Sequence, residues 1–178
     1  MSWIQTVNNK KLDFLNPDPS QICIDDIAAG LSNVPRWAGQ LKQFYSVAEH
    51  SCLMETLYSG MTEKPDPEVS MAILLHDATE AYMCDIPRPL KELLPDYRII
   101  ESRLNIMIHL RFGVPMTPEI IETVKELDNR SLVTEAKIRG LELNGLSSIP
   151  MFDIFPLRYL SPEQAKKQFM YQWKKACM

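Results

Sequence analysis

A histidine and an aspartate stand side by side at the end of an apolar run, Val69-Ser-Met-Ala-Ile-Leu-Leu-His76-Asp77-Ala-Thr-Glu80. An unpaired carboxylate among apolar side chains is expensive, so the doublet demands a partner. A divalent cation is a partner that imidazole and carboxylate both accept. Two further donors lie elsewhere, His50 in Ser46-Val-Ala-Glu-His50-Ser and Asp128 in Val124-Lys-Glu-Leu-Asp128-Asn. His50, His76, Asp77 and Asp128 make a four-donor N/O set of the kind a hydrolytic metal centre needs. Such a set suits one transition metal ion (Co, Mn, Zn, Ni or Fe) better than Mg or Ca, which prefer all-oxygen shells. Glu80 follows His76 by four residues and Asp77 by three. On a helix that is the same face one turn on, within reach of a water at the cation without being a ligand.

Two basic segments flank this set. Pro35-Arg36-Trp37-Ala-Gly39 precedes His50, and Asp85-Ile-Pro-Arg88-Pro-Leu-Lys91 follows Glu80. Arg36 offers a planar fork for phosphate oxygens, Lys91 a compact charge, Trp37 an aromatic face for a base or sugar, and Asp85 an acceptor for a sugar hydroxyl. Taken singly these residues have plainer readings. Tryptophans are more often core than ligand platforms, and Arg88, Lys42 and Arg98 read as surface charges. His109, in Ile106-Met-Ile-His-Leu110, reads as a hydrogen-bonded core histidine, and Glu49 as the carboxylate of a capping box.

The elements that must position these residues are mainly helical. Residues 1–15 form a small β-hairpin, Trp3–Val7 and Lys11–Leu15 around a tight Asn8-Asn9 turn. Residues 24–178 form the helical core of a single domain. Asp25-Asp26 open a short helix to Leu31, with acidic residues where the helix dipole favours them. Ser46-Val-Ala-Glu49 caps a helix to about Tyr58, and Asp66-Pro67 starts one to about Met83. Ile86-Pro-Arg-Pro89 prevents regular structure. Helices then run from about Asp96 to Phe112 and from Thr117-Pro118 towards Leu143, the latter ended by Asn144-Gly145. Residues 147–160 form a loop, and Ser161-Pro162-Glu-Gln164 caps the last helix.

Composition bounds the function. At 178 residues, 46% of them hydrophobic and 24% charged, the chain can bury one real core. A net charge of -4 argues against a nucleic-acid polymer as partner, because duplex binding needs a concentrated basic face. No apolar run reaches the roughly 20 residues of a membrane span, and the first residues do not form a secretory signal. Cys23, Cys52, Cys84 and Cys177 are scattered, which fits free thiols in a reducing cytosol.

The ordered segments Arg36-Trp37, Ser46-Val-Ala-Glu-His50-Ser, His76-Asp77-Ala-Thr-Glu80-Ala, Asp85-Ile-Pro-Arg-Pro-Leu-Lys91 and Leu127-Asp128 resemble the HD-domain metal-dependent phosphohydrolases. Within these the chain is similar to the compact branch of 5'-deoxynucleotidases and phage dATP triphosphohydrolases. The resemblance implies an all-α HD-domain bundle with a divalent metal on His50, His76, Asp77 and Asp128, and a second divalent ion accompanying a triphosphate. It implies catalysis by Glu80 with Asp77 and Arg36, and substrate contacts from Arg36, Trp37, Asp85 and Lys91. The implied reaction is hydrolysis of 5'-phosphates from 2'-deoxynucleotides by a metal-activated water. A dNTP such as dATP gives deoxynucleoside and tripolyphosphate; a dNMP gives deoxynucleoside and phosphate. A homo-oligomer, dimer or higher, in the cytoplasm (the host's, for a viral source) is implied as well. The chain departs from the branch at Ala38-Gly39, where bulkier apolar residues are usual and small ones leave room beside a base. The alternatives are an HD phosphohydrolase of a signalling nucleotide and a non-catalytic, metal-stabilised nucleotide sensor.

Overall fold

The computed structural model describes residues 2–141, 148–153 and 155–178. Strands β1 (Trp3–Gln5) and β2 (Lys11–Asp13) pair antiparallel in the register Trp3↔Asp13, Ile4↔Leu12, Gln5↔Lys11. The expected hairpin is therefore present, but its connection is longer than a tight Asn8-Asn9 turn. The Thr6 N–H donates to the Lys10 carbonyl at 2.9 Å and the Asn9 N–H to the Thr6 carbonyl at 3.0 Å. Asn9 takes φ 60°, a left-handed conformation that asparagine tolerates. Asn8 serves elsewhere: its backbone N–H and side-chain amide both donate to Asp26 Oδ1, at 3.0 and 2.8 Å, and pin the hairpin to the first helix.

The rest is mainly helical: α1 (Ile24–Asn33), α2 (Val47–Met61), α3 (Pro67–Leu75), α4 (Glu80–Met83), α5 (Arg88–Lys91), α6 (Pro95–Phe112), α7 (Pro118–Ile138) and α8 (Pro162–Ala176). Four of the long helices start where cap chemistry requires. Side-chain oxygens of Ser46, Asp66, Thr117 and Ser161 accept from first-turn amides, and proline opens the last three of these helices. Helix α8 returns against α1, α2 and α3, closing a core that includes Ile27, Leu31, Leu74, Leu75, Leu104 and Phe169. Helix α7 lies against α2 and α3, which brings Asp128 towards both histidines. His109 is buried with Nδ1 at 3.0 Å from the Asn105 carbonyl, the expected core role. Among the described residues, no helix is long and apolar enough to cross a membrane.

Four local expectations are corrected. The helix from Asp66-Pro67 does not continue to Met83 but stops at Leu75, and His76-Asp77 lies in the tight turn before α4. The cause is local. His76 Nδ1 sits 2.8 Å from the Ile73 carbonyl, the acceptor a continuing α-helix would give to the Asp77 amide. The turn proceeds with i→i+3 bonds, Ala78 N–H to the Leu75 carbonyl and Glu80 N–H to the Asp77 carbonyl, both 2.9 Å. Three residues per turn superpose Asp77 and Glu80, so Glu80 stays on the side of Asp77 for a different reason than an α-helical repeat. Helix α7 ends at Ile138 rather than near Leu143, because Gly140 takes φ 67°, a left-handed position that stops a helix; Asn144-Gly145 lies outside the described residues. The Ile86–Pro89 stretch is only partly irregular, since the one-turn α5 begins at Arg88 with Pro89 in its first turn, where no amide is missed. Glu49, finally, does not complete a capping box. Its carboxylate accepts the consecutive N–H groups of Arg158, Tyr159 and Leu160 at 3.0, 2.9 and 2.8 Å, and so straps the segment before α8 onto α2.

Helix α1 meets α4 through Gly30. A Cβ there would fall 2.5 Å from the Ala81 carbonyl oxygen and 2.7 Å from its Cα and Cβ. Ala81 follows Glu80, so this approach sets the depth at which Glu80 enters the site. Gly30→Ala is expected to destabilise the fold by about 1–3 kcal/mol through overpacking. Urea unfolding checks this, and a change within experimental error would show that α4 yields freely.

Candidate metal centre

His50 lies in the first turn of α2, His76 and Asp77 in the turn after α3, and Asp128 midway along α7. Donor atoms of His50, His76 and Asp77 lie within 4.8 Å of one another. Asp128 flanks this group, with Oδ1 3.2 Å from His50 Nε2 and 3.9 Å from His76 Nε2. The two rings are 5.3 Å apart between centroids. All four residues expected to hold the cation are thus brought together.

The donor chemistry fits a divalent cation. Each histidine has its Nδ1 occupied from outside, His50 by Glu135 Oε1 and His76 by the Ile73 carbonyl, both at 2.8 Å. Each Nε2 is left to face the other donors. Among the described residues, His76 Nε2 is buried with no hydrogen-bond partner; Asp77 Oδ2 is 3.0 Å away but not aligned for one. Two inward imidazole nitrogens between two carboxylates suit Mn, Fe, Co, Ni or Zn.

Glu80 is buried, with Oε1 3.4 Å from Lys91 Nζ and Oε2 unpartnered among the described residues. Burial raises its pKa well above the ordinary carboxyl value, and the negative charges of Asp77 and Asp85 push in the same direction, against Lys91 and Arg36. Burial also raises Asp85. Burial alone would lower the His76 value, but Asp77 beside it outweighs that and lifts it to about 9.

Arg36 is buried between two carboxylates, with Nη1 3.3 Å from Asp77 Oδ2 and Nε 3.3 Å from Glu135 Oε2. The Trp37 N–H donates to Asp85 Oδ2 at 3.1 Å, and its indole Nε1 donates to Glu135 Oε2 at 3.2 Å. Trp37, Ala38 and Gly39 all take positive φ, 59°, 49° and 73°. For non-glycine residues this is a strained conformation that the surrounding bonds must hold. Lys91 is paired with Glu101 at 2.7 Å and stands beside Glu80.

Glu135, Tyr45 and Glu101 belong to this network and carry no mark in the sequence motifs. Glu135 is fully buried and accepts from Tyr45 Oη at 2.7 Å as well as from His50, Arg36 and Trp37. Its signal was its spacing: seven residues after Asp128, it occupies the same face of α7 two turns on. Glu101, ten residues after Lys91, had no comparable signal.

The raised His76 value has a consequence with a definite sign. Its proton-linked stabilisation is complete below the ordinary value of 6.5 and is lost as pH rises through about 9. A cation on Nε2 must displace that proton. Affinity for Mn2+ is therefore expected to rise between pH 6.5 and 9, with proton release measurable by calorimetry in buffers of different ionisation enthalpy. A flat profile would remove His76 from the ligand set.

No protein-family profile matches the chain. Two bacterial proteins are similar to most of it. The uncharacterized protein YfdR of Escherichia coli is 38% identical over 177 residues, covering 96% of this chain and 93% of that protein. An uncharacterized protein of Rhodobacter capsulatus is 38% identical over 141 residues, covering 76% of this chain and 72% of its own length. Identity at that level along nearly the whole chain is kinship, and the chain belongs to the family of YfdR.

Proposed function

We propose that this protein is an HD-domain metal-dependent phosphohydrolase that removes 5'-phosphates from 2'-deoxynucleotides. The carrying observation is the His50, His76, Asp77 and Asp128 cluster with a buried carboxyl, Glu80, one short turn from Asp77 and two cationic side chains alongside. Those four residues would hold a divalent cation, which would supply Lewis acidity towards a phosphoryl oxygen and lower the pKa of a water near neutral pH.

The chain's own residues do the rest. Arg36 Nε and Nη1 face Glu135 and Asp77, leaving Nη2 to donate to a phosphoryl oxygen. Lys91 adds positive charge next to Glu80, where charge builds on the phosphoryl group. Glu80 Oε2 has no partner among the described residues and accepts or returns the proton of the attacking water. Water oxygen bonds to the phosphorus nearest the sugar, the bond from phosphorus to the 5'-oxygen breaks, and that oxygen leaves as the sugar hydroxyl with a proton. The same step gives phosphate from a monophosphate and tripolyphosphate from a triphosphate such as dATP, a second divalent ion then accompanying the phosphate tail. Trp37 and Asp85 contact the nucleoside part, with Asp85 already restrained by the Trp37 amide. The reading carries with it a homo-oligomer in the cytoplasm.

Chromatography of each deoxynucleotide and ribonucleotide after incubation with Mn2+ or Co2+ is expected to show deoxynucleoside with phosphate or tripolyphosphate. Asp77→Ala is expected to lose metal and turnover together. Glu80→Gln is expected to retain the metal and lose turnover by about 10²–10⁴-fold. Tight nucleotide binding without product would favour a sensor, and turnover confined to cyclic dinucleotides or alarmones would move the substrate to signalling nucleotides.

A further inference from the structure

We propose that Glu135 is a positioning residue that couples cation capture at His50 to the left-handed turn carrying Arg36 and Trp37. This rests on the cation reading of the four-residue cluster and not on any hydrolytic one. The division of labour within the carboxylate is the basis. Oε1 takes His50 Nδ1 at 2.8 Å and Tyr45 Oη at 2.7 Å. Oε2 takes Trp37 Nε1 at 3.2 Å and Arg36 Nε at 3.3 Å. One oxygen serves the metal ligand and the other serves the turn, and the two are fixed in one planar group on α7.

An ionised carboxylate only accepts. It therefore accepts the Nδ1–H of His50, and Nε2, which faces Asp128 Oδ1 at 3.2 Å, can give its lone pair to a cation that enters between them. A cation on Nε2 in turn makes Nδ1–H a stronger donor and tightens its bond to Glu135. A tighter Glu135 is a firmer acceptor for Arg36 and Trp37, adding to the bonds that the turn makes elsewhere, from the Trp37 amide to Asp85, from Arg36 Nη1 to Asp77 and from the Arg36 amide to the Tyr45 carbonyl. The linkage is reciprocal: whatever stabilises the turn strengthens cation binding by the same free energy. His76 has no such link, because its Nδ1 partner is the Ile73 backbone carbonyl. The effect is specific to Glu135 on chemical grounds. A glutamine of the same shape both donates and accepts, so it also permits the His50 tautomer whose Nε2 is blocked by a proton.

The test uses Zn2+, whose closed shell has no redox chemistry, in a Trp3→Phe, Trp173→Phe background. The chain has three tryptophans, so Trp37 is then the single indole reporter. Zn2+ is expected to shift Trp37 emission. Glu135→Gln is expected to weaken Zn2+ binding by about 10- to 100-fold and to leave Trp37 emission unmoved at saturating Zn2+. Tyr45→Phe removes a bond to the same Oε1 without touching His50 or the turn, and its affinity is expected to stay within about twofold of the parent, well short of that loss. The proposal is overturned if Glu135→Gln binds Zn2+ like the parent, if Tyr45→Phe loses as much, or if Zn2+ does not move Trp37 emission in the parent. Should Glu135→Gln fail to fold, Trp37→Phe in the otherwise native chain removes only the indole bond. A several-fold weaker Zn2+ affinity there supports the coupling, and an unchanged affinity overturns it. Zn2+ binding without turnover of any nucleotide would sink the hydrolytic reading and leave the coupling standing.

Discussion

Five carboxylates, Asp77, Glu80, Asp85, Asp128 and Glu135, converge with, among the described residues, two fixed cations between them, Arg36 and Lys91. Charge of one sign packed at low solvent exposure is unstable unless something positive enters. Without a divalent ion, protons take that place. The His76 ring keeps its proton up to about 9, and Glu80 and Asp85 are pushed upward. These shifts are one imbalance seen from several groups. A cation among His50, His76, Asp77 and Asp128 would relieve it at its centre and draw Glu80 back towards the ordinary carboxyl range. Glu135, like Asp77 and Asp128, is shifted the other way: burial alone would raise it, but Arg36 and His50 outweigh that and hold it down to about 2. It stays ionised, as a fixed acceptor requires.

The fold delivers this imbalance by interrupting helices. A continuous helix from Pro67 to Met83 would let the Asp77 amide take the Ile73 carbonyl; instead His76 takes it, and the doublet turns inward from the end of α3. Helix α7 supplies Asp128 and Glu135 two turns apart, so one rigid element carries both carboxylates that meet His50, one at each ring nitrogen. Gly30 lets α1 close onto Ala81 and keeps Glu80 buried beside Asp77. Strain is concentrated in Trp37 and Ala38, where left-handed backbone costs about 1–3 kcal/mol per residue, and it is held by two carboxylates that also belong to the site.

Much of this was legible in the sequence where chemistry is local. Ser46, Asp66, Thr117 and Ser161 marked helix starts because capping is decided within four residues. The convergence of His50, His76, Asp77 and Asp128 was legible because a carboxylate set beside a histidine after an apolar run needs positive charge that the run itself cannot supply. Features that depend on a side chain reaching its own backbone or a distant strand of chain were hidden. His76 ending α3 looks like helix continuation in periodicity. Glu49 fits a capping box at its spacing, yet its carboxylate is claimed by the amides of residues 158–160, more than a hundred positions away. Ala38-Gly39 suggested space beside a ligand; what the sequence did not show is the backbone duty the two residues share with Trp37, a run of three positive φ angles.

Glu135 shows why a buried charge can escape a motif and still govern a site. Motifs are found through groups that touch ligand, and this one touches the groups that do. It lies behind His50, on the far nitrogen of the ring, yet its loss would take the acceptor from His50 Nδ1, Tyr45 Oη, Arg36 Nε and Trp37 Nε1 together, where burial makes an unmet donor costly. Arg36 sharpens the point. Its guanidinium is committed to Asp77 on one edge and Glu135 on another, so it meets an incoming anion as a group already aimed and already partly neutralised. Aim favours binding in one pose and neutralisation weakens it in all poses. A site arranged this way exchanges raw anion affinity for geometry, which would suit the proposed hydrolysis, where a phosphate product must be released as well as its precursor held.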